Sequence, residues 1–113
     1  MADCLFCKIA TKELGSDNVY ESDDVLAFRD INPAAQTHVL VIPKRHIASV
    51  DDLNPGDAGL LGEMFEAMVQ IAREAGLTNG YRVVTNIGRD AGQSVHHLHF
   101  HVLGGRSMAW PPG

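Results

Sequence analysis

The sequence predicts an α+β domain, in which an antiparallel sheet of about five strands is accompanied by one long and one short helix. Three observations predict this class. Apolar residues recur every three or four positions over residues 60–75, short β-branched runs are separated by turn residues, and histidine alternates with large apolar residues over 97–103. Helices and strands that occupy separate stretches of the chain are typical of α+β folds with antiparallel sheets.

The first elements are short. Asp3 is predicted to cap a helix over residues 4–13. Strands are predicted over residues 19–21 and 25–29, because β-branched and aromatic residues there flank a turn-like Ser-Asp-Asp. Residues 30–36 contain Asn-Pro and are predicted to form a loop.

A buried strand and the long helix follow. Residues 38–42 form a continuous apolar run, which indicates a central strand that ends at Pro43. Asn54-Pro55 marks the start of the helix and Gly76 marks its end. The apolar residues predicted to form its buried face are Leu60, Leu61, Met64, Phe65, Met68, Ile71, Ala72 and Ala75.

The last strands contain the most informative residues. Residues 81–86 are predicted to form a strand, and a glycine-rich turn over 88–92 leads into the histidine run. On a strand, His97, His99 and His101 share one face, and Leu98, Phe100 and Val102 share the other. Three interpretations remain open at this point: a half-buried strand with a polar face, a zinc site, and a nucleophilic imidazole assisted by its neighbours.

Composition limits the function classes. The 113 residues predict one domain over 1–113, and the net charge of −5 argues against binding a nucleic acid polymer, which requires a basic face. The sequence contains neither an apolar run of membrane-spanning length nor an N-terminal signal segment, so we expect no membrane association and a cytoplasmic location.

The histidine run resembles the motif of the histidine triad superfamily of nucleotide hydrolases and transferases. The likeness covers essentially the whole chain and is strongest to the Hint branch. The matching segments are Phe6 with Lys8 and Ile9, Phe28–Pro33, Thr37–His46, Val102–Arg106 and the closing Trp-Pro-Pro-Gly. Members of this branch hydrolyse purine nucleoside phosphoramidates through a covalent nucleotidyl-histidine. The resemblance also implies the HIT-like fold and a homodimer whose sheet continues across the two subunits.

The resemblance assigns the catalytic roles. His99 is the expected nucleophile, and the backbone carbonyl of His97 orients its ring. His101 and His38 are expected to flank the phosphate and stabilise its developing charge. Ser94 is expected to assist departure of the amine, although a local turn role is the alternative for this serine.

Further residues are expected to bind the nucleotide. Asp30 is the expected ribose ligand. For Asn86 two roles remain open: a contact to the phosphate, or a turn at the end of the strand. Backbone groups around Gln93 and Val95 are expected near the phosphate, and Trp110 near the leaving group. The apolar residues expected to line the base slot are Phe6, Ile9, Phe28 and Ile31.

The two cysteines form a Cys-x-x-Cys pair. A disulfide is not expected in a cytoplasmic chain, and the βαβ context of a thioredoxin-like redox pair is missing. Because some family members bind structural zinc through such a pair and two histidines, the resemblance implies a zinc site of Cys4, Cys7, His46 and His97. Two reduced thiols that pack as small apolar groups are the alternative.

Three alternatives to phosphoramidate hydrolysis remain open. One is a dinucleoside polyphosphate hydrolase or nucleotidyl transferase of the same superfamily, which differs in the leaving group. Another is a nucleotide-binding scaffold in which hydrolysis is incidental. The third is a zinc hydrolase in which all three triad histidines bind the metal.

Overall fold

A computed structural model describes residues 3–113, and it confirms the predicted class. Five strands form one antiparallel sheet in the order β1-β2-β3-β5-β4. The strands are β1 (Asn18–Glu21), β2 (Val25–Arg29), β3 (Thr37–Pro43), β4 (Arg82–Val84) and β5 (Phe100–Gly104). β3 lies at the centre of the sheet, and β4 forms one edge.

The long helix begins one turn later than predicted. Asn54 caps a 3₁₀ turn over Pro55–Asp57, and the α-helix α2 then runs over Ala58–Glu74. Gly76 follows with a φ of 72°, the left-handed conformation that glycine accepts without strain. The predictions for Phe65 and Ala75 were wrong, since 48% of Phe65 is exposed and Ala75 is exposed as the C-cap of the helix. Ala67, absent from the predicted face, is 1% exposed and takes the buried position between Met64 and Met68.

The short helix α1 spans Leu5–Ala10 and is smaller than predicted. The predicted cap, Asp3, was wrong: the N-cap is Cys4, whose Sγ accepts a hydrogen bond from the N–H of Cys7 at 3.3 Å. The helix ends at Thr11, and Lys12 adopts a φ of 70°, which turns the chain away before the predicted end at residue 13.

The sheet separates two apolar clusters. The larger one packs the sheet against α2; from the histidine run it takes Leu98, Phe100 and Val102. The smaller one lies on the α1 side, where Phe6 and Ile9 contact side chains of β2 and β3. The predicted division of the histidine run into an apolar face and a histidine face is therefore confirmed.

The histidine strand is shorter than predicted. β5 begins at Phe100, so His97 and His99 precede the regular ladder and only His101 lies in it. The paired strand β3 explains why β5 starts only at Phe100. The register pairs Val41 with Phe100, and β3 ends two residues after Val41, at Pro43, which lacks an N–H. β4 likewise covers only part of the predicted 81–86.

None of the helices within residues 3–113 combines the length and apolarity needed to cross a membrane.

Candidate active site and metal-binding cluster

His99 is held in one tautomer by a backbone carbonyl. Its Nδ1 lies 2.7 Å from the carbonyl oxygen of His97, and since a carbonyl only accepts, Nδ1 carries the proton and donates. The lone pair of Nε2 is therefore available as a nucleophile. His99 is 5% exposed, and the Phe6 ring packs edge-on against it at a centroid distance of 5.1 Å. The ring is fixed on both sides before a substrate arrives.

The backbone of His99 is anchored as well. The Oγ1 of Thr85, just beyond β4, donates to the His99 carbonyl at 2.8 Å. Because His99 lies outside the regular ladder, this side-chain bond replaces one that a strand partner would have supplied. No sequence motif marks Thr85 as a site residue. The only signal was its position at the end of the predicted strand, next to Asn86.

His38 and His101 form a directed pair beside His99. The N–H of Ala34 donates to Nδ1 of His38 at 3.0 Å, so His38 carries its proton on Nε2. That Nε2 lies 2.9 Å from Nδ1 of His101 and 3.4 Å from Oδ2 of Asp30. His101 therefore accepts on Nδ1 and holds its own proton on Nε2, where it is a hydrogen-bond donor.

Burial keeps this pair uncharged. The pKa of His101 falls from 6.5 to about 4, first because burial disfavours the cation and then because the neighbouring His99 and His38 repel a second charge. Burial also lowers the pKa of His38, against the opposing attraction of the Asp30 carboxylate. At neutral pH both rings are neutral. The Ala34 N–H therefore decides which nitrogen of His38 donates, and His38 in turn decides which nitrogen of His101 accepts.

A second cluster lies behind the first. The Sγ of Cys4 and the Sγ of Cys7 lie 3.3 Å and 3.5 Å from Nδ1 of His97, and Cys7 Sγ lies 3.2 Å from Nδ1 of His46. The four predicted zinc ligands are thus brought together, with their ligand atoms within 4.8 Å of one another. Burial, followed by the hydrogen bond and charge of Cys4, raises the pKa of Cys7 to about 11. Two adjacent thiolates require a cation to be stable there.

The chemistry of this donor set fits zinc. Nε2 of His97 donates to the carbonyl of Pro43 at 2.8 Å, which leaves the Nδ1 lone pair facing the two sulfurs. Two sulfurs and two imidazole nitrogens are a common tetrahedral set for structural zinc, and the carbonyl partner fixes the ligating tautomer. When bound, zinc would tie α1 to the segment that carries His97.

Asp30, His38 and His101 also converge within 4.8 Å, but their chemistry does not fit a metal. Ligation through His38 Nε2 requires the proton of a neutral ring to sit on Nδ1, where the Ala34 N–H already donates. In this cluster the ring nitrogens are engaged in hydrogen bonds, whereas Nδ1 of His97 faces the two sulfurs.

The loop before the histidine run is held by Gln93. Its Nε2 donates to the carbonyls of Ala48 and Val95 at 2.7 and 3.1 Å, and its Oε1 accepts from Gly88 N–H at 3.0 Å. The side chain of Gln93 is therefore occupied in shaping the loop. Ser94 is exposed on this loop.

The remaining nucleotide-binding candidates fall into buried and exposed groups. Phe6, Ile9 and Phe28 belong to the smaller apolar cluster and are at most 8% exposed. Ile31 and Trp110 are 92% and 81% exposed, which is unusual for large apolar side chains. Asn86 is half-buried where the chain leaves β4. The structure therefore places the first group in the core and the second at the surface.

Similarity to known proteins identifies the family of the chain. A family model described as "Scavenger mRNA decapping enzyme C-term binding" matches residues 3–110. An uncharacterized HIT-like protein from Synechococcus elongatus is 50% identical over 98% of this chain and 97% of its own length. The chain belongs to the histidine triad (HIT) superfamily.

Other HIT proteins are similarly close. HitA from Neisseria gonorrhoeae is 45% identical over 92% of this chain and 97% of its own length. The crystal structure of a HIT family hydrolase from Legionella pneumophila is 49% identical and superposes with a TM-score of 0.96, covering 98% of this chain and all of that one. A histidine triad protein from Clostridium difficile is 44% identical with a TM-score of 0.93, covering 96% of each chain.

Proposed function

We propose that this HIT protein is a nucleotide-binding hydrolase of the Hint branch, which cleaves the P–N bond of purine nucleoside phosphoramidates through a nucleotidyl intermediate on His99. The observation that carries the proposal is the bond from His99 Nδ1 to the His97 carbonyl, which leaves Nε2 as the attacking atom. The name of the Legionella relative, a HIT family hydrolase, supports the reaction class.

The reaction has two displacement steps. Nε2 of His99 attacks phosphorus, the P–N bond breaks, and the amine leaves after it takes up a proton from solvent. Water then attacks phosphorus, the bond to Nε2 breaks, and nucleoside monophosphate is released while the surplus proton passes to solvent. We assign to the exposed Ser94 hydroxyl a contact that assists departure of the amine.

Donors beside His99 stabilise the charge that develops on the phosphate. His101 holds a proton on Nε2 because its Nδ1 accepts from His38, so it is a neutral donor that needs no reorganisation during the reaction. Asp30 keeps its Oδ1 in a bond from Asn32 N–H at 2.8 Å, and we assign its carboxylate to the ribose hydroxyls. Ile31, 92% exposed, is assigned to cover the base.

A second candidate is cleavage of dinucleoside polyphosphates. The description of the matching family model, which names an mRNA decapping enzyme, favours this alternative. The nucleophile would be unchanged, and the leaving group would be a nucleotide. We assign the choice of leaving group to the C-terminal tail. Arg82 donates to the carbonyl of Ala109 in this tail at 2.9 Å, next to the exposed Trp110.

The deciding experiment is steady-state hydrolysis of adenosine 5′-phosphoramidate by the wild-type protein, His99→Ala and His96→Ala. His96 is an exposed histidine three residues before His99, and it serves as a matched control. We expect His99→Ala to lose about a thousandfold or more in turnover, and His96→Ala to keep it. Mass spectrometry of quenched wild-type protein should detect an added nucleotidyl group.

Two outcomes would contradict parts of the proposal. Normal turnover by His99→Ala would exclude His99 as the nucleophile. A wild-type protein that cleaves diadenosine polyphosphate and not the phosphoramidate would establish the second candidate.

We further propose that Cys4, Cys7, His46 and His97 bind a structural zinc ion. Support comes from the convergence of their ligand atoms and from the lone pair of His97 that faces the sulfurs. His97 then has two roles: its ring belongs to the metal site, and its carbonyl orients the nucleophile.

We also propose that two copies associate through α2 and the edge strand β4, so that the sheet continues across a homodimer. Phe65 and Val69 are 48% and 38% exposed on one face of α2, and β4 leaves one edge without a partner strand within residues 3–113. Phe65→Ser should shift the protein from dimer to monomer by analytical ultracentrifugation. Leu5→Ser, at a residue equally exposed (47%) on α1, should not. A monomeric wild-type protein would contradict the proposal.

A further inference from the structure

Arg106 binds the loop between β2 and β3. An N–H of this loop orients His38 and, through it, His101. Its Nε and Nη2 both donate to the carbonyl of Ala34, at 3.2 and 3.1 Å, and Nη1 donates to the carbonyl of Ser107 at 3.1 Å. Ala34 lies in the loop between β2 and β3, which has no regular secondary structure. A charged guanidinium that shares two N–H groups with one carbonyl restrains that peptide more firmly than a neutral donor would.

The other side of the same residue faces the active site. The N–H of Ala34 donates to Nδ1 of His38 at 3.0 Å, so the two peptide groups that flank one α-carbon bind Arg106 and His38. The two peptide groups are joined through the α-carbon of Ala34, so holding the carbonyl restricts the φ and ψ rotations that could turn the N–H away from His38. The orientation of this exposed peptide therefore depends on a residue of the segment after β5.

Glycine at position 105 allows this contact. Gly105 adopts a φ of 96°, and a Cβ there would lie 2.8 Å from Cβ of Gln36, in the same loop. The backbone after β5 thus approaches the loop closely enough for the next side chain to reach Ala34.

We propose that Arg106 is a positioning residue, which sets the proton arrangement of His38 and His101 through the backbone of Ala34. With the Ala34 N–H on Nδ1, His38 must donate from Nε2, and His101 must accept on Nδ1 and keep its proton on Nε2. Without this N–H, either nitrogen of His38 can carry the proton, and the donor of His101 is no longer defined.

The inference deepens the proposed function, because the donor on His101 is the group assigned to the phosphate, but its first test needs no substrate. Nitrogen NMR of the imidazoles distinguishes protonated from unprotonated ring nitrogens. The structure predicts the Nε2–H form for His38 and His101 and the Nδ1–H form for His99. In Arg106→Met we expect the signals of His38 and His101 to move toward averaged values, while those of His99 keep their wild-type positions.

Matched variants separate positioning from a general loss of structure. Arg82→Met removes another arginine that donates to a backbone carbonyl, and it should leave the signals of His38 and His101 unchanged. Arg106→Lys retains a cationic donor and should restore much of the wild-type spectrum. With phosphoramidate as substrate, Arg106→Met should lower kcat about tenfold, with a smaller change in KM, and Arg106→Lys should recover part of the loss.

Wild-type imidazole signals in a folded Arg106→Met protein would overturn the inference, as would equal changes in Arg82→Met. If the signals change as expected but neither protein hydrolyses the phosphoramidate, the positioning role stands and the proposed substrate is wrong.

Discussion

Replacement of Cys4 separates two contributions that one sulfur atom makes to stability. Its Sγ accepts the N–H of Cys7 and so caps α1, and it lies 3.3 Å from Nδ1 of His97 in the proposed zinc site. Cys4→Ser retains an oxygen that can cap the helix but is a poor zinc ligand. Cys4→Ala removes both functions.

The magnitudes of the two contributions differ enough to be resolved. Loss of an N-cap costs about 1 kcal/mol, and a ligand present at about a thousandfold excess over its dissociation constant stabilises a protein by about 4 kcal/mol. In a domain of this size about 1 kcal/mol corresponds to roughly 4 °C in the midpoint of thermal unfolding. We therefore expect Cys4→Ser to unfold about 15 °C below the zinc-loaded wild type, and Cys4→Ala a few degrees lower still.

The assay is thermal unfolding followed by circular dichroism, with and without a chelator, together with the zinc content of each protein. The chelator should lower the wild-type midpoint to that of Cys4→Ser and leave both variants unchanged, since neither holds the metal. A wild-type midpoint that does not respond to the chelator, in protein without bound zinc, would refute the reasoning and favour two reduced thiols.

Two further predictions concern the histidines. Because the folded pKa of His101 is depressed from 6.5 to about 4, the unfolded chain binds its proton first, so stability is complete above about pH 6.5 and falls as the pH is lowered toward about 4. The full difference is worth about 3 kcal/mol, which partial exposure of the ring reduces to about 1–2 kcal/mol. Urea unfolding at about pH 7 and about pH 5 should show this loss in the wild type and a smaller one in His101→Gln; equal losses would assign the effect elsewhere. Thr85→Val removes the donor to the His99 carbonyl and should lower the free energy of unfolding by about 1 kcal/mol and reduce kcat more than KM. An unchanged kcat in folded Thr85→Val would show that this anchor does not matter for catalysis.

Local sequence signals predicted most of the elements. Residues 25–29 were predicted as a strand and found with the same ends, because a turn and a loop signal flank a run of four apolar residues that is closed by Arg29. Gly76 was correctly placed at the end of the long helix, since a left-handed residue is required there. The start of that helix was displaced by the 3₁₀ turn at Pro55–Asp57, which a cap-and-proline signal does not distinguish from a first α-helical turn.

The errors arose where distant residues decide the backbone. The start of β5 at Phe100 depends on Pro43 in the paired strand, and the alternation of histidines contains no information about that register. Phe65 satisfies the helical period but lies at the margin of the buried face, where the width of the sheet beneath α2 decides what is covered.

The sequence by itself determined the class of fold, the two faces of the histidine run and the family, because periodicity and motif spacing are properties of neighbouring residues. The tertiary structure decided which nitrogen of each ring carries its proton. His97 is set by the carbonyl of Pro43, His38 by the N–H of Ala34, and His101 by His38. The partners are distant in sequence: His38 and His101 are 63 residues apart. A hydrogen bond acts over about 3 Å, so only the folded backbone brings its donor and acceptor together.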